Sequence, residues 1–371
     1  MEVGLVSITD RLDKFQRRHP AAAFPIAVIY KFADDQGNYL SALITYYAFL
    51  GMFPLLLLAS SILGFVLQGN PELQAQILDS ALSQFPVIGD QLGRPGGLQG
   101  SRTAVIVGIL GSLYGALGVA QATQNAMNIA WGVPRNKRPN PITGRLRSLV
   151  LLATAGLGIL GTTFLSTLGS EVDALNLRIG PGLQIARSIA VVMLNAGVFI
   201  LLFRLATTHK HSLKKAVPGA VAAAVSWQLL QLIGTAYVGA VVKEASITNG
   251  VFAIVLGLIA WLYLGTIIVV MGVEINVVKA HRLYPRALLT PFTDNVDLTV
   301  ADRRAYSDYA EATRSKDFES VDVTFEHDGQ YASAKRRAKL AAETLAGGTD
   351  DGEPPSTKDT DTRTEKPHRH Y

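Results

Sequence analysis

Gln121, Gln124, Asn125 and Asn128 fall at i, i+3, i+4 and i+7 in an otherwise apolar stretch. That spacing sets four carboxamides on one face of an α-helix. Glu274, Asn276, Arg204, Tyr46 and Tyr47 are further polar groups in apolar surroundings. Inside a bilayer each such group costs free energy unless it is satisfied, so these residues are where a function is sought first. The chemistry they could do is limited. A nuclease or another hydrolase needs metal-binding carboxylates or a histidine-based acid/base set. His19, His209, His211, His281, His327, His368 and His370 all lie outside the long apolar stretches. His209 and His211 form an H-x-H pair, but their neighbours are Lys210, Lys214 and Lys215, and a cationic loop repels metal. No phosphate-binding glycine loop carries a Lys-Ser/Thr pair. Cysteine is absent, which removes disulfides, thiolate metal sites and thiol nucleophiles. The expectation is a protein with no catalytic residues, no cofactor and no metal.

The elements that position these groups follow from hydropathy. From Ser41 to Leu67, 27 residues pass without a charge. A helix of roughly 20 apolar residues crosses the hydrocarbon of a bilayer. Six stretches qualify, at about 41–67, 103–130, 148–168, 185–206, 216–242 and 251–278. They are too long for barrel strands and do not alternate. The fold class expected is an all-α integral membrane protein with six transmembrane helices.

Direction follows from basic residues in the loops. Arg11, Lys14, Arg17, Arg18 and Lys31 precede the first span. Arg135, Lys137, Arg138, Arg145 and Arg147 follow the second, and Lys210, Lys214 and Lys215 follow the fourth. Lys279, Arg282 and Arg286 follow the sixth, while the intervening loops are poor in basic residues. Both termini are therefore expected in the cytoplasm. The net charge of +5 conceals +10 over residues 1–290 and −5 over 291–371, a distribution that suits a membrane surface rather than a nucleic acid. "PELQAQILDSALSQFP" (71–86) and "FPIAVIYKFADDQGNY" (24–39) read as amphipathic interfacial helices, either capping the bundle or lying on the membrane surface. The domain plan is a cytoplasmic amphipathic segment at 1–40, a six-helix domain at 41–290 and a largely disordered cytoplasmic tail at 291–371. Within the tail, "YASAKRRAKLAAETL" could form a helix whose Lys335, Arg336, Arg337 and Lys339 face solvent or anionic lipid.

Two readings of the polar groups stay open. In one they line a hydrophilic cavity open to the cytoplasm or inner leaflet, with Glu274 as its central charge. In the other they are interhelical bonds, with Glu274 paired to Arg204, each worth about 0.6–2 kcal/mol. Four amides on one face exceed what one contact needs. Gly108, Gly111, Gly115 and Gly118 line the second span, and small residues let helices approach closely. They serve packing within the chain or, as the lesser alternative, a homodimer. Pro54, with Gly51 a turn before it, interrupts the helical bonding of the first span. It is a fixed kink or a hinge between a wet inner half and a dry outer half.

Several stretches together resemble the YihY/virulence-factor BrkB family of bacterial inner-membrane proteins, formerly labelled ribonuclease BN-like. They are "SALITYYAFLGMFPLLLL", "NIAWGVP", "PGAVAAAVSWQLLQLIGTAYV" and "FAIVLGLIAWLYLGTIIVVMGVEINVV", covering roughly residues 10–290. Within them stand Gly219, Trp227, Tyr237, Trp261, Tyr263 and the segment Gly272 to Asn276. The resemblance implies a six-helix inner-membrane protein with cytoplasmic termini and supplies no settled activity. The expected function is transport or export of an amphipathic or lipid-like substrate, with membrane lipids as partners and no nucleic acid. The alternative is a scaffold that supports envelope integrity without transport.

Overall fold

The structure, a computed structural model, describes residues 11–66, 102–174, 181–209, 212–237, 247–291, 296 and 298–325. The chain divides into Met1–Val323 and Thr324–Tyr371, and of the second unit only residues 324 and 325 are described. Helical residues 11–18 lead into α1 (Pro20–Asp34) and α2 (Gly37–Val66). Then come α3 (Arg102–Ala130), a 3-10 turn (Arg135–Lys137), α4 (Pro141–Ala174) and α5 (Pro181–Ala206). The order closes with α6 (Leu213–Tyr237), α7 (Ile247–His281) and α8 (Val300–Ala312). No strand occurs among the described residues. The expected surface helix at 71–86 and the basic cluster at 335–339 lie outside them.

Five helices hold stretches long and apolar enough to cross a membrane: Val105–Ala130, Pro141–Thr162, Ser188–Ala206, Leu213–Gly234 and Val255–His281. They match five of the six expected spans. The sixth expected stretch lies in α2, a helix of 30 residues with Pro54 inside it. Hydrocarbon offers no water to an unpaired backbone group, so continuous helices are the economical answer to these sequences.

The crossing of α2 on α3 is tight, and glycine makes it possible. A Cβ on Gly115 would stand 2.2 Å from the Gly51 Cα, and one on Gly111 would stand 2.7 Å from the Pro54 ring. A Cβ on Gly118 would strike the Tyr47 ring at 2.2 Å, and one on Gly108 would meet the Pro54 carbonyl at 3.1 Å. The whole glycine stripe of α3 is thus turned to α2 and filled within the chain. A second tight crossing joins α6 to α7, where a Cβ on Gly219 would stand 1.7 Å from the Gly272 carbonyl oxygen. In α6, Pro218 has no N–H and disturbs the helical ladder at this turn. The next N–H, that of Gly219, donates to Asn276 Oδ1 at 2.7 Å.

At one end of the bundle, Ala27 and Val28 of α1 and Ala305 of α8 join a core with Met127, Trp131, Phe203, Val273 and Val277. The join is locked by Arg286, which is buried. Its Nε donates to Asp302 Oδ1 and its Nη2 donates to Asp34 Oδ2 at 3.0 Å. Asp302 Oδ2 accepts from the N–H groups of Ala287 and Thr299, at 3.0 and 2.9 Å, and Thr299 and Asp302 form a capping box that starts α8. The Gln16 amide donates to the Arg286 carbonyl, and the Tyr30 hydroxyl donates to the Leu288 carbonyl at 2.6 Å. The stretch expected as a largely disordered tail from 291 contains a packed helix near its start, α8. Residues 298–312 are held, because Asp302 meets Arg286 and Ala301 and Ala305 reach the core. The segment reads as solvated in the sequence because its apolar side chains are mostly alanines among charges.

Two substitutions probe these contacts. Gly115→Ala should lower the melting temperature of the detergent-purified protein by an amount equivalent to about 1–3 kcal/mol of overpacking. Gly156→Ala is the control, because nothing lies within 4 Å of a Cβ there; equal melting of the two variants would refute the close crossing. Arg286→Met leaves the Asp34 and Asp302 carboxylates without their cation, and breaking such a buried pair costs about 3–5 kcal/mol. Limited proteolysis should then cut within residues 286–312 far faster than in the parent, and unchanged cutting would show that the network does not hold α8.

Candidate functional site

The last turn of α1 carries Lys31, and Asp35 follows four residues later on the same face. Glu274 projects from α7 against both. The Lys31 ammonium donates to Asp35 Oδ2 and lies 3.9 Å from Glu274 Oε2. All three side chains are buried, Glu274 completely. With both carboxyls ionised, neither Glu274 oxygen and not the second Asp35 oxygen has a hydrogen-bond donor. One ammonium thus faces two carboxyl groups in a place where an unbalanced charge is expensive.

The local electrostatics follow. Burial pushes the Asp35 carboxyl above its ordinary value, against the pull of Lys31. Burial works against the Lys31 charge, but Glu274 and Asp35 more than offset it and hold the ammonium above its ordinary value. Burial also lowers Arg138, with Arg135 adding to the effect. Burial opposes the charge of Arg286, and Asp34 and Asp302 outweigh it and raise that group.

Lys31 and Asp35 form part of the wall of a cavity of ≈ 430 Å³. Its other walls come from the end of α3, the loop after it, α7 and α8, including Trp131, Arg138, His281 and Tyr306. Trp131 is a hub: His209 stacks on it at 4.8 Å between ring centroids and His281 meets it edge-on at 5.8 Å. His281 Nδ1 lies 3.3 Å from Asp308 Oδ2. The cavity is therefore polar, aromatic and of mixed charge, and two members of the triad, Lys31 and Asp35, form part of its wall.

The residues singled out in the sequence are spread over separate contacts. Gln124 Nε2 donates to Ser148 Oγ at 2.8 Å and to the Gly144 carbonyl at 3.2 Å, joining α3 to α4. Asn125 Oδ1 accepts from Arg138 Nη1 at 2.9 Å. Asn128 Oδ1 accepts from the Thr208 N–H at 2.9 Å and from the Thr207 and Thr208 hydroxyls. Asn276 is spent on Gly219, and Gln121 is exposed. Tyr46 is exposed, and Tyr47 packs into the α2–α3 crossing with Gly51 and Pro54. Arg204 is exposed at the end of α5, and the cation beside Glu274 is Lys31. Of the nine polar residues only Glu274 belongs to the triad, and none of the nine lines this cavity.

Lys31 and Asp35 were not recognised from sequence. Lys31 counted only as one more basic residue of the N-terminal flank. The signal was a Lys-x-x-x-Asp pair closing the apolar run "FPIAVIYKFADD", where two charges one helical turn apart can satisfy each other when buried. The meeting of His209 and His281 on Trp131 had no sequence signal, since 150 residues separate the first and last of these.

A family model described as virulence factor BrkB matches residues 28–294. The inner membrane protein YhjD of Escherichia coli (strain K12) is 24% identical over 277 residues, covering 70% of this chain and 81% of that protein. A protein named as ribonuclease-like, YfkH of Bacillus subtilis (strain 168), is 26% identical over 268 residues, covering 68% of this chain and 93% of that protein. No solved structure matches the chain. The family match extends from α1 through the apolar helices to the segment that follows α7, and takes in Lys31, Asp35 and Glu274; the chain is a multi-pass membrane protein and belongs to the virulence factor BrkB family.

Proposed function

We propose that the chain is a transport or export factor of the inner membrane for an amphipathic or lipid-like substrate. In this reading α2 is the sixth span and both termini are cytoplasmic, as the basic loops argue. The observation that carries it is Glu274: a completely buried carboxyl in an apolar helix, with no donor of its own, against Lys31 and Asp35 under a cavity of ≈ 430 Å³. A side chain kept only to join helices would find its donors, as Gln124, Asn128 and Asn276 do. An unbalanced ionisable group at membrane depth is the usual mark of a substrate or proton path. The triad then works as a site that gains or loses one proton as the cavity fills and empties.

The scaffold reading has its own support, because the amides of α3 and α7 are consumed in contacts within the chain. The packing of Pro54 on Gly111 likewise favours a fixed kink over a hinge. The proposal includes no enzymatic step. The word ribonuclease-like belongs to the name of the Bacillus subtilis relative.

The test is reconstitution of the full chain in vesicles with a fluorescent phospholipid, read by quenching from one side. The parent should move the probe between leaflets, and Glu274→Gln should slow it about tenfold, roughly 1.4 kcal/mol of barrier, while the melting temperature holds. No movement by the parent, or equal rates, would favour the scaffold. The triad also has a pH signature. The Asp35 carboxyl is raised above its ordinary 3.8, so the folded state holds a proton that the unfolded chain releases. That contribution to stability is complete below 3.8 and is lost as pH rises through the raised value. Melting temperature should fall with pH over that window in the parent and fall less in Asp35→Asn; parallel curves would remove Asp35 as the titrating group.

A further inference from the structure

Away from the triad, a second cavity of ≈ 420 Å³ opens where α4 begins and α5 ends. Arg147 and Val150 of α4, Arg204 of α5, and Thr207, Thr208 and His209 after it contribute to its walls. It shares no lining residue with the larger cavity. Arg147 stands near the start of the apolar stretch Pro141–Thr162 and Arg204 near the end of Ser188–Ala206. The two helices are antiparallel neighbours, so both guanidinium groups sit at the same membrane boundary.

Neither arginine has a carboxylate partner among the described residues. The Arg147 Nη1 is buried and has no hydrogen-bond acceptor. A buried guanidinium nitrogen without an acceptor costs free energy that an anion would recover. Donors beside it are also available. Asn128 Oδ1 faces three donors, the Thr208 N–H and the hydroxyls of Thr207 and Thr208, and has two lone pairs. Both threonines line the same cavity as the two arginines. On the outer side Leu146, Leu149, Val150 and Leu201 are exposed, an apolar surface beside the charged pocket.

We propose that Arg147 and Arg204 bind the phosphate group of a ligand at the membrane boundary. Planar guanidinium groups pair with phosphate oxygens in two-point contacts, and basic pockets between membrane helices suit anionic headgroups. A lipid places its headgroup on the two arginines and its acyl chains along Leu149, Val150 and Leu201. Free phosphate offers the same group without the chains. The site does not depend on whether the chain transports anything.

The test is thermal unfolding of the detergent-purified full chain with three additives: dioleoylphosphatidic acid, dioleoylglycerol with the same chains, and inorganic phosphate. Phosphatidic acid should raise the melting temperature and dioleoylglycerol should not. In Arg147→Gln and Arg204→Gln the lipid needed for half the shift should rise about tenfold. Arg145→Gln removes an equal charge from an exposed residue outside the cavity and should respond as the parent does. A shift from inorganic phosphate alone, lost in the same two variants, assigns the pocket to free phosphate and supports the site. The proposal is overturned if dioleoylglycerol acts like phosphatidic acid, if Arg145→Gln loses as much, or if both pocket variants keep the full response. Arg204 is exposed, so Arg204→Gln remains decisive where Arg147→Gln fails to fold.

Discussion

A polar group inside hydrocarbon must find its partner within the protein, and most of this structure answers that demand. Backbone groups answer it by forming continuous helices. Carboxamides answer it by reaching neighbours: Gln124 to α4, Asn128 to the loop after α5, Asn276 to the backbone of α6. Each contact ties a different pair of segments, so the amides work as separate ties between helices. Glycine permits this economy. Where Gly115 meets Gly51 and Gly219 meets Gly272, backbones approach closely enough for short side chains to bond across the crossing.

Glu274 stands apart because its demand is met incompletely. It shares one ammonium with Asp35, and neither of its oxygens has a hydrogen-bond partner. At Arg286 two carboxylates, Asp34 and Asp302, face one guanidinium, and the Arg286 carbonyl accepts from Gln16 ahead of α1. The two networks are neighbours in sequence on both sides, since Asp34 serves Arg286 and Asp35 serves Lys31. The same α1 end that builds the rigid network therefore also carries the incompletely satisfied one.

Much of the fold was legible in hydropathy alone. Five of the apolar stretches became helices long and apolar enough to cross a membrane, near their expected bounds, because length and lack of charge are legible segment by segment. The glycine spacing of α3 announced a close contact and left its partner open. The helix α8 was not legible, since its buried face is alanine and its anchor, Asp302, looks like any exposed acid until Arg286 is beside it.

The sequence by itself determined that this chain is helical and membrane-embedded, and that its polar residues cluster toward the helix ends. Periodicity and charge placement are properties of a single segment, so they survive without a third dimension. Only the tertiary structure decided which polar residues are satisfied. Of the four amides on one helical face, Gln124, Asn125 and Asn128 went to different neighbours and Gln121 is exposed, and the cation beside Glu274 is not Arg204, as one reading had it, but Lys31 from a segment more than 200 residues away. Partner choice depends on which helices touch and at what height, and crossings such as Gly51 on Gly115 set that only when the chain is packed.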